Sequence, residues 1–138
     1  MKVLFVCRAN AARSQEAEAF YNSFTNTNDA SSAGIDLLHS VKGADPTIPE
    51  IVIQIMKEAG LDISQKRREN LTEQMVAEAD VVISILDDYP LPEYLASSPK
   101  LIQWTGIPDP VRQPIEIHRA VRNMVKERVL AFIKSTST

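Results

Sequence analysis

Val3-Leu4-Phe5-Val6-Cys7-Arg8-Ala9-Asn10-Ala11-Ala12-Arg13-Ser14 joins an unbroken apolar run to a loop of small and polar residues. The run Val3-Leu4-Phe5-Val6 has no polar alternation, which suits a strand covered on both faces. After Ser14, Ala17, Phe20, Tyr21 and Phe24 recur at helical spacing until the polar stretch 25–29. A strand, a short loop and a helix in that order open a βα unit.

Working outward, the same alternation repeats. Residues 30–33, closed by Gly34, form a candidate second strand. Thr47-Ile48-Pro49-Glu50 reads as a helix start, with Thr47 as the cap, Glu50 three residues on and Pro49 in the first turn. Ile48, Ile51, Val52, Ile55, Met56 and Ala59 mark one face of that helix, and Gly60 ends it. A short helix is expected over 71–79 with Thr72 as its cap, and a buried strand over 81–86. A helical turn over 91–96 and a last strand over 101–104 follow. Gly106-Ile107-Pro108-Asp109-Pro110 must be a loop. Beyond Pro114, Ile117, Val121, Met124, Val125 and Phe132 predict a long amphipathic C-terminal helix. Strands alternating with helices imply a three-layer α/β/α domain over residues 1–138 with a mainly parallel four-stranded sheet. In such folds ligands bind beyond the C-terminal strand ends, where both the Cys7 loop and the Asp109 loop emerge.

Bulk composition narrows the function classes. With 44% hydrophobic and 24% charged residues, a soluble globular protein is the expectation. A net charge of −3 gives no basic footprint for nucleic acid. Cys7 is the only cysteine, so no internal disulfide can form. The apolar run at the N-terminus is too short for a signal-peptide core or a membrane span, and cytoplasmic residence is expected. His39 and His118 show no zinc-ligand spacing and read as structural. Trp104 reads as core or pocket wall, and Lys66-Arg67-Arg68 as a solvated surface run.

The Cys7 loop carries the chemistry. A strand-to-helix loop offers backbone N–H groups without intrahelical partners, and the helix dipole adds positive potential. Ala9, Ala11 and Ala12 let the backbone wrap closely around an anion, and Arg13 can grip two of its oxygens. Such surroundings favour the thiolate form of a cysteine, and Ser14 can donate a hydrogen bond to it. A lone Cys at the end of a buried strand is more often an inert core residue; its place at a junction with Asn10, Arg13 and Ser14 turns the reading to function.

Cys7, five residues, then Arg13-Ser14 resembles the active-site signature of the low-molecular-weight protein tyrosine phosphatases, a family that also contains the thiol-dependent arsenate reductases. Ser32-Ala33-Gly34, Gly60-Leu61-Asp62-Ile63-Ser64, Ala79-Asp80-Val81-Val82 and Ile107-Pro108-Asp109-Pro110 resemble later family segments in order. The resemblance implies Cys7 as nucleophile, Arg13 with the backbone of residues 8–14 as the phosphate cradle, and Asp109 as general acid and then base. Arg8, Ala9, Asn10, Ala11, Ala12 and Ser14 complete that cradle, while Asn10, Ser14 and Ser32 support the loop. It implies no metal and no organic cofactor.

The chain departs from the family pattern in four places. Ala9 and Ala12 stand where the phosphatases usually have Gly and a second Cys, and Arg8 replaces a more usual apolar residue. Val111-Arg112 follows Asp109-Pro110 without the tyrosines that flank an aromatic substrate. Residues 81–99 hold no Cys, so the three-cysteine relay of the thioredoxin-coupled reductases is impossible. The expected function is a cysteine-dependent phosphatase acting on phosphomonoesters, protein phosphotyrosine among them. The alternatives are a single-cysteine arsenate reductase using an external thiol, and a non-catalytic phosphate-binding module.

Overall fold

A computed structural model describes residues 1–137. Its elements run β1 (Val3–Cys7), α1 (Arg13–Thr25), β2 (Ala30–Gly34), α2 (Glu50–Glu58), α3 (Glu73–Glu78), β3 (Val81–Ile85), α4 (Glu93–Ala96), β4 (Leu101–Trp104) and α5 (Ile115–Thr136). The four strands form one parallel sheet in the order β2-β1-β3-β4. β1 is therefore central, and the register sets Cys7 beside Gly34.

Period-two geometry divides β1 between two cores. Val3, Phe5 and Cys7 join Phe20, Tyr21, Val52, Met56, Val121 and Val125 on the side of α1, α2 and α5. Leu4 and Val6 face the other way, with Val76 of α3, Ala79 just beyond it and Leu95 of α4. Every β1 residue is buried, which explains the missing polar alternation. Each large apolar side chain so buried contributes about 1.5–3 kcal/mol of transfer free energy. The odd-numbered face also fixes the direction of Cys7, which lies on the α1 side of the sheet.

The expected strands and helices are present, but two local expectations fail. Thr47 does not cap α2: the helix starts at Glu50 with Pro49 as its cap residue. Proline forces the residue before it into extended backbone, so the helix cannot begin at Ile48. Thr47 instead bonds to Asp45 through both its N–H and its hydroxyl, and bridges Arg67. Along α5 the buried stripe is His118, Val121, Val125 and Val129. Ile117 and Met124, expected on that face, are 41% and 40% exposed. Val121 and Val125 are buried as expected, but hydropathy alone picks Ile117 where His118 is buried, because a histidine is not counted as apolar. Thr72 caps α3 as expected, accepting from the Met75 amide at 3.2 Å.

Candidate active site

Cys7 ends β1 and is 2% exposed, with its Sγ 2.9 Å from the Ser14 Oγ. The contacts of Asn10 leave the Ser14 hydroxyl free to donate to Cys7. The Glu69 amide donates to Asn10 Oδ1 at 2.8 Å, so Asn10 Nδ2 is the end facing the serines. That nitrogen donates to Ser14 Oγ at 2.7 Å and to Ser32 Oγ at 2.9 Å. Ser14 thus accepts from Asn10, and its proton is free to be donated to Cys7 Sγ when that sulfur is a thiolate. Ser32 likewise accepts from Asn10 and donates to Glu18 Oε1 at 2.9 Å. Asn10 itself adopts left-handed backbone, φ 52°, which asparagine tolerates better than most residues. Lys66 closes the chain of contacts by pairing with Glu18.

The loop amides are ready for an anion. Among the described residues, the N–H groups of Ala9, Asn10, Ala11 and Ala12 donate to no protein acceptor. They stand at the N-terminus of α1, where the helix dipole adds to their pull. Gly34 makes the loop's close seat possible. A Cβ there would lie 2.7 Å from Asn10 N and 2.8 Å from the Ala9 carbonyl carbon.

Arg13, 5% exposed, links this loop to the other predicted one. Its Nη1 donates to the Ile107 carbonyl at 3.2 Å, and its Nη2 lies 3.5 Å from Asp109 Oδ2. The same Asp109 oxygen is 2.8 Å from His39 Nε2, while Oδ1 accepts the Val111 amide at 3.1 Å. A cavity of about 210 Å³ opens over these groups, lined by Cys7, Arg13, His39 and Asp109 with aliphatic walls including Val41 and Ile51.

The structure therefore brings Cys7, Arg13 and Asp109 to one cavity and places Asn10, Ser14 and Ser32 beneath the loop. Ala9, Ala11 and Ala12 line the cavity. Arg8 does not. Its guanidinium reaches Asp36 at 3.4 Å and lies 4.5 Å from the Tyr89 ring centre, leaving its backbone as its part in an anion cradle.

Three residues read as structural or solvated belong to the site. His39 holds Asp109, across 70 residues of sequence. His118 lines the cavity; burial pushes its imidazolium below the ordinary range, and the Asp109 carboxylate partly offsets that. Arg68, read as part of a solvated run, is 4% exposed and bonds to the Ala9 carbonyl inside the loop. No local pattern marks any of them. Trp104 belongs to the core, as expected.

Residues 2–137 match the model of the low molecular weight phosphotyrosine protein phosphatases. The chain belongs to that family. Within the wider group of relatives, it is 32% identical to the glutaredoxin arsenate reductase of Synechocystis sp., covering 99% of this chain and 98% of that protein. A solved arsenate reductase in its phosphate-binding state is 31% identical, with a TM-score of 0.78 over 99% of this chain and 100% of that one. A low molecular weight protein tyrosine phosphatase from T. tengcongensis shares the fold, with a TM-score of 0.78 and 22% identity over 98% and 99% of the two chains. This family member is an enzyme of cysteine-dependent chemistry on tetrahedral oxyanions, and both phosphatase and arsenate reductase chemistry fit it. Among the described residues no helix is long and apolar enough to cross a membrane.

Proposed function

We propose that the chain hydrolyses phosphomonoesters through a cysteinyl-phosphate intermediate. The observation that carries this reading is Asp109, set by Arg13 and His39 at the cavity that also opens on Cys7. Cys7 Sγ attacks phosphorus in line, the ester P–O bond breaks, and a proton from Asp109 goes to the leaving oxygen. Water then attacks phosphorus as Asp109 takes its proton, and the P–S bond breaks to release phosphate. Arg13 and the loop amides hold the equatorial oxygens throughout. Neither step needs a second thiol, which suits a chain with one cysteine. The aliphatic cavity walls suit an ester with an apolar organic part, and protein phosphotyrosine is one candidate. Cytoplasmic residence accords with a catalytic thiol that must stay reduced.

A second reading is favoured by the relatives at 31% and 32% identity, both arsenate reductases. Here Cys7 attacks arsenic and water leaves. An external thiol, glutathione or mycothiol, then resolves the adduct: arsenic gains two electrons and departs as arsenite, and Cys7 ends in a disulfide with that thiol.

One preparation separates the two. Hydrolysis of an aryl phosphate and reduction of arsenate with each thiol are measured in parallel, with Cys7→Ser as control. Aryl phosphate turnover abolished by Cys7→Ser is expected. Turnover that survives Cys7→Ser would sink the covalent mechanism. Arsenate reduction without ester hydrolysis would install the second reading, and phosphate binding with neither activity would leave a binding module.

A further inference from the structure

Arg68 comes from the segment between α2 and α3, which supplies none of the reacting groups named above. Its burial is unusual for a charge: among the described residues no carboxylate forms an ion pair with it, and its side chain bonds only to backbone carbonyls. Nε donates to Ala9 O at 3.2 Å, and Nη1 to Gly43 O at 2.9 Å and Asp45 O at 2.5 Å. Nη2 donates to Leu37 O. A buried guanidinium is costly unless its donors are met, and here four carbonyls meet four of its five N–H groups.

Those carbonyls belong to two pieces of the site. Ala9 sits inside the Cys7 loop. Leu37, Gly43 and Asp45 bracket His39, Ser40 and Val41, which wall the cavity. One planar fork therefore ties the oxyanion loop to the wall that carries the partner of Asp109. Carbonyl acceptors satisfy hydrogen bonds without cancelling the charge. The exposed Asp45 carboxylate offsets it in part, and a Cys7 anion attracts it as well; burial, the larger effect, pushes the other way. The guanidinium stays charged.

We propose that Arg68 is a positioning residue for this site: its fork clamps the 37–45 wall to the Cys7 loop and so holds that loop in its anion-binding shape. The proposal rests on Cys7 being the reactive group. It does not require turnover of any substrate, so its test stands apart from that of the phosphatase reading.

The single cysteine makes the test clean. Alkylation of Cys7 by iodoacetamide is followed at one pH in wild type, Arg68→Gln and Arg68→Lys, with increasing inorganic phosphate as protectant. Arg68→Gln loses most of the fork and should need about tenfold more phosphate than wild type for equal protection. Lysine keeps the charge and lacks the planar fork, so Arg68→Lys should also need several-fold more phosphate. A purely structural arginine would lower the melting temperature and leave phosphate protection unchanged, and that result in folded Arg68→Gln overturns the proposal. So does Arg68→Lys with wild-type protection. Should Arg68→Gln fail to fold, Arg68→Lys decides alone: unchanged protection refutes it.

Discussion

Glu16 is one helical turn beyond Arg13 on α1, fully buried, and neither carboxylate oxygen has a hydrogen-bond partner. Burial pushes its pKa from 4.5 up to about 8, against the attraction of Arg13 and Arg122. Between those two values the folded chain holds Glu16 neutral while the unfolded chain ionises it, so folding takes up a proton. Any stability credited to the neutral group is complete below pH 4.5 and is lost progressively up to about pH 8. Each pH unit in that window costs about 1.4 kcal/mol, which bounds the whole effect at about 5 kcal/mol. Allowing for relaxation around the buried charge, a loss of about 2–4 kcal/mol between pH 5 and pH 8 is expected. Glu16→Gln cannot ionise and should lack this component. His118, pushed below its ordinary 6.5 by burial, acts in the opposite sense, losing stability as pH falls below 6.5. It is present in both proteins and cancels in their difference. Urea unfolding at pH 5 and pH 8 reads the result: the midpoint of wild type should fall by about 1–2 M more than that of Glu16→Gln, for an m value of about 2 kcal/mol/M. Equal pH dependence in the two proteins would refute the reasoning.

Two further outcomes follow from the site. Gly34→Ala puts a methyl group against the backbone of Arg8, Ala9 and Asn10, at 2.7–3.0 Å from their atoms. Unfolding should become easier by about 1–3 kcal/mol, and kcat should fall by about 100-fold through displacement of the anion loop; wild-type kcat would show that the loop tolerates the shift. His39→Gln can keep a hydrogen bond to Asp109, whereas His39→Ala cannot. With poor leaving groups, His39→Ala should lose about tenfold in kcat and His39→Gln less, and equal rates in all three proteins would remove His39 from the support of the acid.

Much of the fold is legible in the sequence because it rests on local periodicity. The apolar β1 run, the helical spacing after Ser14 and the prolines around Asp109 each state their local structure. Cys7 and its loop are legible for the same reason, since Cys7, Asn10, Arg13 and Ser14 lie within eight residues. Where hydropathy is the only guide, the reading drifts, as the α5 stripe shows with His118 buried and Ile117 exposed.

Cys7, then, is placed and surrounded by its own neighbours in sequence, and the sequence alone determined that it stands at a strand-to-helix loop on a helix N-terminus. Only tertiary structure decided what stands around that loop. His39 meets Asp109 across 70 residues, and Arg68 meets Ala9 across 59. The acceptors of Arg68 are backbone carbonyls, which every residue carries, so no side-chain pattern can announce them. They become a site only when the parallel sheet folds distant loops to one edge.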